Sequence, residues 1–158
     1  MRVCTGGTFD PLHDGHKVLI RKAFEVAGQN GRVTIGLTSD SFATSHHYYK
    51  LLSYGERKRN LLGFLSEEGC SSSRYEIVEL NDPWGPSLTE DFDAIVVSPE
   101  TFKSALILNK KRKEKGLKPI KVIGIPLINA EDGKPICSTR IYKKEIDKHG
   151  KVLPKKLN

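Results

Sequence analysis

The opening of the chain restricts the fold most. Residues 1–5, Met-Arg-Val-Cys-Thr, form a short apolar run stopped by Gly6-Gly7, the pattern of a buried strand entering a tight turn. From about Asp14 to Ala27, Leu19, Ala23, Val26 and Ala27 recur at steps of three or four. Lys17, Arg21 and Lys22 occupy other faces, which predicts an amphipathic helix ended by Gly28 and Gly31. Arg32 to Leu37 is again apolar and β-branched. Strand, helix and strand in that succession form a βαβ unit, whose two strands run parallel because the helix carries the chain back to the starting edge.

The same alternation continues. A helix is expected from Tyr54, with Leu61, Leu62 and Leu65 as its apolar face, and strands at Arg74–Leu80, Ala94–Ser98 and Ile120–Ile125. Pro99 suits the first turn of a helix that runs into the basic stretch Lys110–Lys115, and a short helix is expected over Ser138–Asp147. Ser39-Asp40 reads as a possible cap, Ser45–Lys50 as a polar loop and Asn81–Pro86 as a turn-rich loop. A chain of 158 residues without internal repeat or dividing linker fits one domain, 1–158. The expected architecture is α/β: a single Rossmann-like domain with a parallel sheet of about five strands flanked by helices.

Composition narrows the setting. With 37% hydrophobic and 28% charged residues, the chain can build a core. No run approaches the ~18 apolar residues of a membrane span, and the start carries no apolar leader, so a cytoplasmic protein is expected. Cys4, Cys70 and Cys137 form no C-x-x-C pair and are read as buried thiols of a reducing compartment. The net charge of +7 is uneven, −4 over residues 1–102 and +11 over 103–158. Such a C-terminal third attracts polyanions, but nucleic acid and small phosphorylated substrates both answer to it.

In a doubly wound sheet, ligands bind at the carboxyl ends of the strands. The segment Gly6-Gly7-Thr8-Phe9-Asp10-Pro11-Leu12-His13-Asp14-Gly15-His16 falls there, between the first strand and the first helix. Its glycines allow close backbone approach, and the helix start offers N–H groups and a positive dipole end to phosphate. Neither a P-loop nor a G-x-G-x-x-G spacing is present. His13 and His16, three apart, can turn toward one phosphate, although a capping or structural role is open to either. Zinc would need at least one more ligand, and no Cys or His stands at a recognised spacing, so no protein-held metal is expected.

Gly7-Thr-Phe-Asp-Pro-Leu-His-Asp-Gly-His16 resembles the T/H-x-G-H signature of the HIGH-motif nucleotidyltransferase superfamily. Ile136-Cys137-Ser138-Thr139-Arg140-Ile141 resembles its I-S-S-T-R-I segment, with Cys137 in place of the first serine. Further stretches are similar to the archaeal and eukaryotic phosphopantetheine adenylyltransferases and span nearly the whole chain. They are Gly36–Asp40, Tyr54-Gly-Glu-Arg57, Asp82–Pro86, Val96–Thr101 and Ile136–Gly150. The resemblance implies ATP and 4′-phosphopantetheine as substrates, Mg²⁺ accompanying the ATP, and dephospho-coenzyme A and pyrophosphate as products.

The resemblance also implies roles. His16 contacts the α-phosphate in the transition state, His13 assists at the nucleotide phosphates, and Thr8 offers hydroxyl and N–H to the incoming or α-phosphate. Gly6, Gly7 and Phe9 complete that turn. Ser138, Thr139 and Arg140 receive the β- and γ-phosphates. Ser98, Glu100 and Thr101 stand where the family contacts adenine or ribose, with a helix cap as the other reading. Lys50 is the candidate for the lysine that holds the acceptor phosphate. His46 and His47 are alternatives, with ordinary pKa values near about 6.5. Arg112 is a candidate for the ATP phosphates, while Lys110, Lys111 and Lys113 read as a solvated face. Trp84 walls the pantetheine pocket or packs in the core. Lys143–Lys156 reads as solvated surface. The nearest other readings are an enzyme of the same superfamily acting on flavin mononucleotide, nicotinamide mononucleotide or a cytidylyltransferase-type acceptor, and, more remotely, a noncatalytic RNA-binding module. Nucleic acid is the less expected partner because aromatic RNA-recognition signatures are lacking. Sequence leaves the oligomeric state open.

Overall fold

The computed structural model describes residues 1–45 and 50–155. Five strands, β1 (Arg2–Gly7), β2 (Arg32–Thr38), β3 (Tyr75–Leu80), β4 (Ala94–Val97) and β5 (Lys121–Gly124), form one sheet in the order β3-β2-β1-β4-β5. All neighbours are parallel, as the βαβ reading requires. The chain winds outward from β1 to β3, then returns to the other side of β1 for β4 and β5. That reversal opens a crevice at the carboxyl ends of β1 and β4.

Among the described residues five α-helices accompany the sheet: α1 (Asp14–Ala27), α2 (Asp40–Thr44), α3 (Tyr54–Glu67), α4 (Phe102–Glu114) and α5 (Ser138–Tyr142). The stripe Leu19, Ile20, Ala23 and Ala27 buries α1 against the sheet, and Gly28, at φ 79°, ends the helix. In α3 the Ser53 hydroxyl accepts from the Glu56 N–H while the Glu56 carboxylate accepts from the Ser53 N–H, a reciprocal cap. Successive residues of β1 feed opposite faces, as a period of two demands. Val3 joins the cluster of Leu19, Ile20, Leu61, Phe64 and Leu65, whereas Cys4 joins Phe92, Leu108 and Ile120. Burial pushes the Cys4 thiol up to about 12, against the pull of the Arg112 and Arg2 charges, so it stays protonated. Of the other cysteines, both expected to be buried, Cys70 and Cys137 are half-buried; all three are free thiols.

Three elements depart from expectation. Helix α2 stands where the sequence indicates only a cap: the Ser39 hydroxyl accepts from the Phe42 N–H, and the single short turn it starts is too brief to show a helical period. Helix α4 begins at Phe102, not near Pro99, because the Ser98 N–H donates to the Thr101 hydroxyl at 3.1 Å and holds 98–101 as a turn. Helix α5 stops at Tyr142, five residues short of Asp147, where Lys144 takes a left-handed φ of 61°. Beyond it Ile146 is fully buried with Ala130 and Ile136, so the C-terminal region carries its own small core. Lys143, Lys144, Lys148, Lys151 and Lys155 are exposed, as a solvated tail requires; Lys156 lies outside the described residues. Among the described residues no helix is long and apolar enough to cross a membrane.

Candidate active site

A cavity of about 630 Å³ occupies the crevice. Gly6, Gly7, Thr8, Phe9, His13 and His16 form one wall, and Cys137, Ser138 and Thr139 face them from the start of α5. Ser98, Glu100 and Thr101 enter from the end of β4, and Trp84 from the loop after β3. The two segments that resemble nucleotidyltransferase signatures, remote in sequence, thus share one enclosure. Trp84 meets both of its readings, since it lines the cavity and also packs against the cluster around Phe92 and Leu108.

The histidines are fixed by the backbone. The His16 N–H donates to His13 Nδ1 and the His13 N–H donates to His16 Nδ1, both at 3.3 Å, so the pair closes α1 as an N-terminal cap. A nitrogen that accepts a backbone N–H carries no proton, which assigns the proton of each neutral ring to Nε2. The rings stack with centroids 3.6 Å apart, and Phe9 meets His16 edge-on at 5.1 Å. Burial lowers His13 to about 4, opposed by Asp14 and its own carbonyl. Burial first, then the nearness of His13, holds His16 well below its ordinary value, against the Pro11 carbonyl. At neutral pH both are uncharged donors. Gly15 is required beneath them, because a Cβ there would lie 2.9 Å from His13 Cε1.

The turn before them is held from two sides. Phe9, 1% exposed, adopts φ 51°, a conformation a bulky residue takes only when its surroundings impose it. On one side Arg57, fully buried in α3, donates through Nη1 to the Thr8 carbonyl at 3.1 Å. On the other, buried Asp10 accepts from the Leu52 N–H at 2.6 Å and from the Tyr142 hydroxyl of α5. Arg57 Nε also donates to the Leu52 carbonyl at 3.0 Å, so both polar groups of Leu52 are tied to the same scaffold. In the sequence Arg57 stands out only as part of a family-like stretch; its spacing in α3, four before Leu61 on the buried face, is the signal that it points inward.

Other expected residues are placed differently. Arg112 is corrected: it is 1% exposed and donates to the carbonyls of Lys118, Ser87 and Glu90, each at 2.8 Å, so it braces the scaffold and does not line the cavity. Lys110, Lys111 and Lys113 are exposed, as a solvated face should be. Arg140 pairs with Asp132 and Glu145 and donates to the Pro135 carbonyl at 3.0 Å; its side chain lies outside the cavity wall. Those carboxylates stand eight and five residues away along the chain. Lys50 is exposed, two residues before the anchored Leu52, and does not line the cavity. His46 and His47 lie outside the described residues. Ser98 and Thr101 meet both readings, lining the cavity while their hydroxyls, 3.2 Å apart, join in the turn.

Fold and cavity define a nucleotidyltransferase of the cytidylyltransferase-like class, whose family model matches residues 4–144. Relatives narrow this further. The phosphopantetheine adenylyltransferase of Methanosarcina barkeri is 50% identical over 151 residues, 96% of this chain and 92% of that protein. The phosphopantetheine adenylyltransferase of Archaeoglobus fulgidus is 41% identical over 153 residues, 97% of this chain and all (100%) of that one. A solved structure, described as a protein with unknown function from Archaeoglobus fulgidus, superposes with a TM-score of 0.71 at 38% identity, covering 79% of this chain and 89% of that one. The chain belongs to the phosphopantetheine adenylyltransferase family.

Proposed function

We infer that this chain transfers the adenylyl group of ATP to 4′-phosphopantetheine, giving dephospho-coenzyme A and pyrophosphate in coenzyme A biosynthesis. The observation that carries the reading is the meeting of the Gly6–His16 turn and Cys137–Thr139 in one cavity. A phosphate oxygen of the acceptor attacks the α-phosphorus, a new P–O bond forms, and the bond from the α-phosphorus to the bridging oxygen breaks as pyrophosphate leaves. The nucleophile is already anionic. Catalysis therefore rests on bringing two anions together and on donors for the charge that grows on the equatorial and leaving oxygens.

His16 Nε2–H serves the α-phosphate and His13 the nucleotide phosphates. Of the first N–H groups of α1, that of Asp14 goes to the Lys148 carbonyl and that of His16 to His13 Nδ1, so the Gly15 N–H is the one that adds to them, and Gly6, Gly7 and Phe9 shape the turn for close approach. Thr8 donates to the acceptor or α-phosphate. Ser138 and Thr139 receive the β- and γ-phosphates. Arg140 supports them by bracing the segment that carries them, since its guanidinium is committed to Asp132 and Glu145. Ser98, Glu100 and Thr101 hold adenine or ribose, and Trp84 flanks the pantetheine arm. Lys50, exposed two residues before the anchored Leu52, is the candidate cation for the acceptor phosphate. Cys137 replaces a serine at the N-cap of α5 and makes no side-chain cap there, so its backbone suffices for that helix start.

Mg²⁺ bound to the ATP would neutralise part of the triphosphate charge. The cavity donors are hydroxyls, amides and imidazoles, with Glu100 the carboxylate among the lining residues, a set that suits the anion better than it would cage the cation. The test is incubation of the protein with ATP, Mg²⁺ and a panel of phosphorylated acceptors, with pyrophosphate release as the readout. Release with 4′-phosphopantetheine is expected; release only with flavin or nicotinamide mononucleotide overturns the acceptor and spares the class.

A further inference from the structure

Arg57 does more than pin a carbonyl. Its Nη1 faces three acceptors, the Thr8 carbonyl at 3.1 Å, the Thr38 carbonyl at 2.9 Å and the Thr38 hydroxyl at 3.3 Å, while Nη2 pairs with Asp40 at 3.0 Å. A guanidinium can only donate. The Thr38 hydroxyl oxygen is therefore an acceptor toward Arg57, and its own proton goes to the Thr8 hydroxyl oxygen, 3.0 Å away. Thr38 is 7% exposed and Arg57 wholly buried, so water has little access to reverse the order. With one lone pair of Thr8 filled by Thr38, the Thr8 proton points elsewhere, and Thr8 lines the cavity.

We propose that Thr38 is a positioning residue, polarised by Arg57, which turns the Thr8 hydroxyl outward as a fixed donor to the phosphate undergoing transfer. The chain of bonds runs one way only, from Arg57 through Thr38 and Thr8 to the substrate oxygen. A threonine without such a partner would divide its proton among rotamers and acceptors; here the direction is set before ATP arrives, which is preorganisation at the level of one hydrogen atom. The inference rests on the role given to Thr8 above. It gives a distinct task to a residue of β2 that lies outside both nucleotidyltransferase signatures.

A double-mutant cycle tests it. Thr8→Val, Thr38→Val, Thr38→Ser and the double valine variant are compared by steady-state kinetics and thermal unfolding. The acceptor is whichever member of the panel releases pyrophosphate, so failure of the 4′-phosphopantetheine reading leaves the cycle readable. Thr38→Val, nearly equal in shape, should lower kcat about 10-fold with the KM for ATP changed less than about twofold. Thr38→Ser should restore most of the loss. The double variant should be no slower than Thr8→Val alone, because Thr38 acts through Thr8. Full activity of Thr38→Val, multiplicative losses in the double variant, or a serine that fails to rescue would each overturn the proposal. A drop in melting temperature that accounts for the lost turnover would do the same.

Discussion

Two arginines vanish from solvent in this molecule, and they are put to different uses. Arg57 and Arg112 are 0% and 1% exposed and both spend most of their donors on backbone carbonyls. Arg112 joins α4 to the loop at Ser87 and Glu90 and to Lys118, none of which belongs to the Gly6–His16 turn. Arg57 joins α3 to Thr8, Thr38 and Leu52 and has a carboxylate partner in Asp40. A buried guanidinium is costly to strand, so each must be satisfied; what differs is whether the carbonyls it satisfies include one in the Gly6–His16 turn. The lesson is that burial and hydrogen-bond count measure how much an arginine holds, and only the identity of its acceptors tells what it holds in place.

That contrast can be sharpened by measurement. His16→Ala sets the ceiling for losing one transition-state donor: about 100- to 1000-fold in kcat, roughly 3 to 4 kcal/mol, with a further loss of about 1 kcal/mol of stability from the reciprocal cap it breaks. Turnover close to wild type in a folded His16→Ala protein would remove that residue from the chemistry. Arg112→Met should cost about 3 kcal/mol of stability through stranded carbonyls, while kcat per folded molecule stays within about twofold. Arg57→Met should lose both stability and about 10- to 100-fold in kcat, because Thr8 and Thr38 lose their common donor. Equal damage to turnover from the two substitutions would erase the distinction between them.

Acid should reveal the neutral histidines. In the free protein His13 sits at about 4, below the 6.5 it has when unfolded, so as pH falls the unfolded chain takes up the proton first. Its contribution, about 3 kcal/mol at most, is complete above pH 6.5 and is lost progressively down to about pH 4. Denaturant melts across that window should show the slope. His13→Asn, which keeps an N-cap acceptor, should reduce the slope to the part that buried His16 contributes, with only a small change at pH 7. The smallest effect is expected from Lys50→Ala: a several-fold rise in the KM for the acceptor, about 1 kcal/mol, with the KM for ATP unmoved. An unchanged acceptor KM would assign that cation to another residue.

Local patterning made the scaffold readable. The bounds of α1 agree with the sequence reading because apolar spacing, a polar start and Gly28 all speak for the same helix. The βαβ opening sufficed for parallel pairing. What could not be read was set by contacts across the fold. Five-residue α2 has no room to display a period, and the commitment of Arg112 to carbonyls of residues 87, 90 and 118 is invisible along the chain. Arg57 carried a readable clue, its place on the buried face of α3, but its partners Thr8 and Thr38, thirty residues apart, meet only because β1 and β2 pair side by side. The Arg140 pairs with Asp132 and Glu145 are equally hidden in the motif, which shows the arginine but not its carboxylate neighbours.

The uncharged state of the two stacked imidazoles also bears on product release. Full cations facing pyrophosphate would grip it as firmly after the bond breaks as before. Donors without formal charge interact most with the oxygens while negative charge is building on them, and relax their hold once it has spread over a solvated, departing product. For imidazoles that stay neutral beside the bound phosphates, turnover is then eased at the exit as well as at the bond.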